Sequence, residues 1–204
     1  MRIRTLLISL VVCAVAPVSS SASDRPAVQP GQLFSNPILQ IHAPTSDGWY
    51  GISQNADRIA FGKSGATRDE SYIATVILFH IPDFTDTNAF TDFIKQGIEQ
   101  DSPASRFEVL ETAVNYSAER SYPCVRHQAT SIDKKAAVPG INRKPIRIEV
   151  SSLYCQHPYR PNLGFMASFS HRGGAEDPYF AGDADKFINA VQVSPKTSEP
   201  APKP

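Results

Sequence analysis

The stretch Ser71–Ile81, "SYIATVILFHI", constrains the fold more than any other part of this chain. Read as a strand, it places Ile73, Ile77, Phe79 and Ile81 on one face and Tyr72, Ala74, Val76 and Leu78 on the other. A strand apolar on both faces needs cover on both, which puts it at the centre of a layered sheet. Pro82 ends it. The surrounding pattern supplies neighbours and cover. Trp49–Ser53, entered through the turn residues Asp47-Gly48, and Arg58–Gly62 read as two earlier strands. After Pro82, Asp86 or Thr87 can cap a helix in which Phe90, Phe93, Ile94, Gly97 and Ile98 recur at helical spacing. Strands are expected at Phe107–Val114, Cys124–Ile132, Ile146–Gln156 and Leu163–His171, the last with Leu163, Phe165, Ala167 and Phe169 inward. Asp183 is the expected cap of a final helix carrying Ala184, Phe187, Ile188 and Val191 on one stripe. This order predicts an α+β domain: a mainly antiparallel sheet of about six or seven strands with helices packed on its faces.

The ends of the chain are different in kind. Arg2 and Arg4, the apolar run Leu6–Ala16, too short to span a bilayer, and the small residues of "PVSSSASD" form the three-part pattern of a secretory signal peptide. Cleavage is expected after Ala22, which sends the chain to the periplasm or the extracellular space. The minor alternative is a membrane-anchored lipoprotein using Cys13, but Val12 stands where a small residue is wanted. Residues 23–40 read as a proline-broken, flexible leader with Leu33, Phe34, Ile38 and Leu39 available to tack it down, and 194–204 as a disordered, proline-rich tail, which leaves 41–193 as a single domain. Lys plus Arg and Asp plus Glu are both 20. Loss of Arg2 and Arg4 leaves 18 basic against 20 acidic residues, a formal charge of −2. Nothing in that balance favours nucleic acid.

Removal of Cys13 would leave two cysteines, in "YPCVRHQ" and "LYCQHP". If the two strands form a hairpin about the loop "DKKAAVPGINRKP", Cys124 lies opposite Cys155, Val125 opposite Tyr154, Ala129 opposite Val150 and Ser131 opposite Ile148. Directly opposed residues come within reach of a disulfide, and an exported chain meets an oxidising environment. A Cys124–Cys155 disulfide is therefore expected. A metal site is disfavoured: Cys124 with His127 and Cys155 with His157 do not have zinc-knuckle spacing, and residues three apart on a strand face opposite ways. A thiol nucleophile at Cys155 would be consumed by the bridge. His42 and His80 sit near strand ends without a catalytic context, and no nucleophile elbow, zinc-protease motif or phosphate-binding loop is present. No catalytic, cofactor or metal residue is assigned. A ligand or partner rim is expected to join Tyr159 and Arg160 of "HPYRPN" to His171 and Arg172 of "SHRGG".

The start "IHAPTSDGWYGI", with Pro44, Gly48 and Trp49, the long strand "SYIATVILF", the helix, the run of strands and the last helix "DADKFINAVQV" together resemble the PsbP-like domains, which share an α/β/α sandwich with the Ran-binding Mog proteins. The resemblance covers about 41–193 and implies a bacterial, exported or lipid-anchored member with an accessory or binding role. It supplies no ligand residues for this chain. The expected function is thus a non-enzymatic binding or accessory module of the cell envelope with an envelope-protein partner. The alternative is an exported hydrolase or transferase whose site carries no recognisable motif. A deep polar pocket would favour the alternative, a shallow apolar patch the module.

Overall fold

The computed structural model describes residues 25–136 and 145–194. The expected signal peptide, Cys13, the tail beyond Ser194 and the centre of the 134–145 loop lie outside them. The main sheet has seven strands in the order β3-β4-β5-β9-β8-β7-β6. These are β3 (Trp49–Gln54), β4 (Arg58–Ser64), β5 (Ser71–His80), β6 (Phe107–Ser117), β7 (Cys124–Asp133), β8 (Ile146–Gln156) and β9 (Leu163–Gly173). Every pairing is antiparallel. β5 is interior, between β4 and β9, as its two apolar faces require; β9 takes the middle place. At the turn into β3, Gly48 adopts φ +88, a conformation that L side chains rarely enter.

One face of the sheet is covered by α1 (Thr87–Asp101), whose Phe90 and Ile94 pack with Val125, Tyr154 and Met166. Asp86 caps it: the carboxylate accepts from Ala89 N at 2.8 Å, and this bond holds the Asp86 pKa below its ordinary value. An Asp86→Ala variant should melt roughly 2–4 °C lower than wild type in a calorimetric scan. The opposite face carries α2 (Phe180–Asn189), whose Phe187 meets Phe61 edge-on and Phe169 at a tilt, and a three-stranded sheet ordered β1-β2-β10. The strands of that small sheet are β1 (Leu33–Ser35), β2 (Leu39–His42) and β10 (Gln192–Val193).

Two expectations need correction. Residues 25–40 are not a free leader, and the domain does not begin at 41: β1 and half of β2 fall before that point, and Val28 and Leu39 are buried in the core. The tie is long-range, Leu39 pairing with Val193 and Gln40 with Gln192. The last helix begins at Phe180, not at Asp183. Asp177 starts the turn instead, its carboxylate accepting from Tyr179 N at 2.9 Å, and Asp183 lies in the first turn, where a negative charge suits the helix dipole. Among the described residues, no helix is long and apolar enough to cross a membrane.

Candidate functional site: a shallow face of the sheet

Cys124 and Cys155 are directly paired in the β7–β8 ladder and joined by a disulfide, both sulfurs fully buried on the α2 side. The register is the one the sequence implies, down to Val125 opposite Tyr154 and Ser131 opposite Ile148. His127 and His157 stay apart from the bridge. His157 follows the end of β8, with Nδ1 accepting from Tyr159 N at 3.2 Å.

The four residues of the expected rim do not come together. Tyr159 and Arg160 lie in the turn before β9, while His171 and Arg172 lie at its far end. An extended strand rises about 3.3 Å per residue, so the two pairs are separated by roughly 26 Å or more. Their closeness in sequence had made them look adjacent. His171 and Arg172 also part from each other, because successive strand residues point to opposite faces.

His171 belongs to a buried polar row on the α2 side. Trp49, Lys63, Tyr72, His171 and Glu149 face one another in turn across β3, β4, β5, β9 and β8. His171 Nδ1 donates to Glu149 Oε2 at 2.9 Å, and Nε2 lies 3.4 Å from Glu70 Oε1. The ring stacks on Tyr72, centroids 4.7 Å apart. Tyr72 Oη donates to Glu70 at 3.1 Å. Burial, reinforced by that bond to a carboxylate, pushes the Tyr72 phenol well above its ordinary pKa. Partial burial opposes ionisation of Glu70, but the N–H groups of Ala66 and Thr67 and the Tyr72 hydroxyl outweigh it and hold the carboxyl low. Glu149 also accepts from Asp177 N at 3.1 Å, and Arg147 reaches Glu176 at 3.4 Å. The row therefore ties the sheet to the segment entering α2. Its carboxylates are held by the His171 ring, the Tyr72 hydroxyl and backbone N–H groups, which is the arrangement of a structural network. Nearby, a depression of about 50 Å³ is lined by His42, Ser46, Phe169, Asp183, Lys186 and Phe187, with room for a water or two and not for a metabolite.

Arg172 points the other way, onto the α1 side, and marks a surface the sequence did not single out. Two transverse rows lie beyond the reach of α1. One runs Gly62, Ile73, Ser170, Val150, Ala129, Thr112; the other runs Ser64, Ser71, Arg172, Ile148, Ser131, Val109. Ile73 is 42% exposed and Val109 48%, while Ile148, Val150 and Ala129 are half-buried. Among the described residues, the result is a shallow face of aliphatic and hydroxyl side chains around the cation of Arg172. Arg172 Nε makes no hydrogen bond among the described residues. The Arg106 guanidinium grips Asp133 at the bottom border, at 2.9 Å from Nη2. Burial would raise the Asp133 pKa, but the bonds from Arg106 and Lys135 N and the charges of Arg106 and Arg172 hold it below its ordinary value. The signal for this surface was present as the apolar pairs Ala129–Val150 and Ser131–Ile148. What could not be read was that α1 would stop short of them.

Under α1 the next row is polar: Thr75, Ser168, Ser152 and His127, all buried. Ser152 Oγ donates to Ser168 Oγ at 2.8 Å, and Thr75 Oγ1 to Ile59 O at 3.1 Å. His127 lies opposite Ser152, and burial lowers its pKa to about 4. Among the described residues, no group of three or more His, Cys, Asp or Glu is placed to hold a metal ion.

Fold and surface together define an α+β domain with a disulfide-clasped antiparallel sheet, covered on one face and partly open on the other. No protein-family model matches the chain, and no curated protein matches it. Among solved structures, the Ran-binding protein Mog1p of Saccharomyces cerevisiae is similar over 76% of this chain and 89% of its own, at 10% sequence identity and a TM-score of 0.39. At that level the similarity carries no argument about family, partner or activity.

Proposed function

We propose that this chain is an exported, non-enzymatic binding or accessory module of the cell envelope, an outlying member of the PsbP-like group. The observation that carries the binding reading is the open sheet face: Ile73, Ile148, Val150, Ala129 and Val109 around Arg172. A shallow patch of aliphatic and hydroxyl side chains around a cation fits another protein's surface, not a small molecule. The partner is a folded envelope protein offering an apolar patch and a carboxylate to meet Arg172. Export is supported by the leader pattern of residues 1–22 and by a bridge that persists where thiols are oxidised.

A photo-reactive residue placed at position 73 tests the surface in intact cells. The expected result is a discrete adduct with a second protein, weakened about tenfold or more by Arg172→Glu, since a reversed charge meets a carboxylate. Intact mass of the protein from the exported fraction should correspond to a chain beginning at Ser23. If no adduct formed and the purified protein turned over an ester, phosphate or peptide substrate, the hydrolase or transferase reading would replace this one.

A further inference from the structure

The two edges of the main sheet are β3 and β6, and they are managed differently. The outer side of β3 is covered by Pro26–Val28: Val28 N donates to Trp49 O at 3.0 Å and Gly51 N to Pro26 O at 3.0 Å. Along the outer side of β6, among the described residues, no segment pairs. Unpaired strand edges template association with another chain, and natural proteins guard them with charges, bulges or cover. The first half of β6 has such guards, a bulge between Val109 and Glu111 and the carboxylates of Glu108 and Glu111. Its second half, Thr112–Ser117, has no charge, proline or bulge, and Tyr116 is 50% exposed.

The register fixes which backbone groups face outward. Cys124 and Cys155 have Cα atoms 4.1 Å apart, the spacing of a non-hydrogen-bonded pair. The neighbouring bond from Gln156 N to Pro123 O agrees with this. Cys124 therefore directs its N–H and C=O toward β6, where it meets Ser117. Alternation then turns Ser117, Asn115 and Ala113 toward β7, and leaves Tyr116, Val114 and Thr112 presenting their N–H and C=O groups to solvent.

We propose that a second copy of this chain pairs with β6 along Glu111–Ser117, antiparallel and with Val114 opposite itself on the two-fold axis. A closed, isologous pairing must set outward-facing residues against outward-facing residues and keep each face of the sheet continuous. With Val114 on the axis, Thr112 meets Tyr116, Ala113 meets Asn115 and Glu111 meets Ser117. No like charges face each other, and each hydrogen-bonded pair exchanges two bonds, so every outward amide from 112 to 116 is satisfied. Other centres fit less well. An axis at Thr112 or Ala113 runs the partner strand into the bulge at Leu110, and an axis at Tyr116 leaves Thr112 opposite a residue beyond the strand. The two sheets merge into one, with both open apolar faces on the same side. The pairing uses the backbone edge of β6 and leaves Ile73 and Arg172 untouched on the face it adjoins, so either proposal can fail alone.

Light scattering of the purified chain over a concentration series is expected to show a monomer–dimer equilibrium. Thr112→Pro removes an outward N–H and leaves the bonds to β7 in place, so it should raise the dimer dissociation constant about tenfold or more while circular dichroism stays native. If that variant fails to fold, Thr112→Lys with Tyr116→Lys, both exposed side chains, sets lysine against lysine at both cross-strand pairs and should give the same shift. Under mild oxidation Val114→Cys should crosslink to its own mate and Ala113→Cys should not. A chain that stays monomeric at the highest concentration overturns the proposal. So does a dimer indifferent to both edge variants, and so does a monomer that dimerises only once residues 195–204 are removed, which would give the edge to the chain's own tail.

Discussion

Replacing Cys124 and Cys155 together by alanine is expected to lower the stability of the folded chain by roughly 3–4 kcal/mol and its melting temperature by about 10 °C. The bridge closes a loop of sequence separation 31, and in the chain-entropy model a loop of that length restricts the unfolded ensemble by about this amount. The native side adds to the effect, because both sulfurs are fully buried beside Leu153 and Phe165. The loss should therefore be seen in an oxidising buffer, where the wild-type bridge is intact, and should shrink when both proteins are compared under reductant. Urea unfolding followed by circular dichroism measures it directly. A double variant within about 1 kcal/mol of wild type would mean that the hairpin register alone holds β7 to β8.

A second large effect is expected from acid. His127 is 7% exposed beneath α1, and burial lowers its pKa from 6.5 to about 4. The sign follows from which state binds the proton. Above pH 6.5 the imidazole is neutral in both the folded and the unfolded chain, and no stability is lost. Between 6.5 and 4 the unfolded chain takes up a proton that the native protein refuses, so stability falls as pH falls, by about 1.4 kcal/mol per unit and about 3 kcal/mol in all. His127→Gln should flatten most of this limb of the curve of melting temperature against pH; His157, whose pKa burial also lowers, keeps a smaller slope of the same sign. Glu70, Glu119 and Asp133, whose pKa values are held low in the fold, contribute stability that is lost only below about pH 4.5, so they do not mask it. The His127 ring proton followed by NMR should titrate near pH 4. Titration near 6.5 would place the ring in water and overturn the account of α1 as its cover.

The disulfide was legible because a strand has a period of two. Once Cys124 and Cys155 sit on adjacent antiparallel strands, one register sets sulfur against sulfur and apolar residues against apolar residues at the same time. The same periodicity sent His127 to the face opposite Cys124, and it made β5 interior. The α1 cap was legible for a similar reason, since Asp86 acts on an amide three residues away. What failed was of another kind. The small sheet joins strands of three, four and two residues, too short for any periodic pattern, through pairs as distant in sequence as Leu39 and Val193. His171 looked like a rim residue because its carboxylate partners, Glu70 and Glu149, arrive from the β4–β5 turn and from β8.

The sequence by itself determined the seven strands of the main sheet, the presence of the two helices, the pairing of the two cysteines and the face on which each residue of those strands lies, because these follow from local periodicity and one hairpin. Only the tertiary structure decided where the layers end. That α1 covers His127 but not Ile73 and Val150, that Pro26–Val28 closes the β3 edge while no described segment pairs with the outer side of β6, and that Arg172 is half-buried while His171 is enclosed, all depend on contacts between segments far apart in the chain. The length and placement of a covering element are set by packing against many partners at once, and no stretch of sequence carries that information alone.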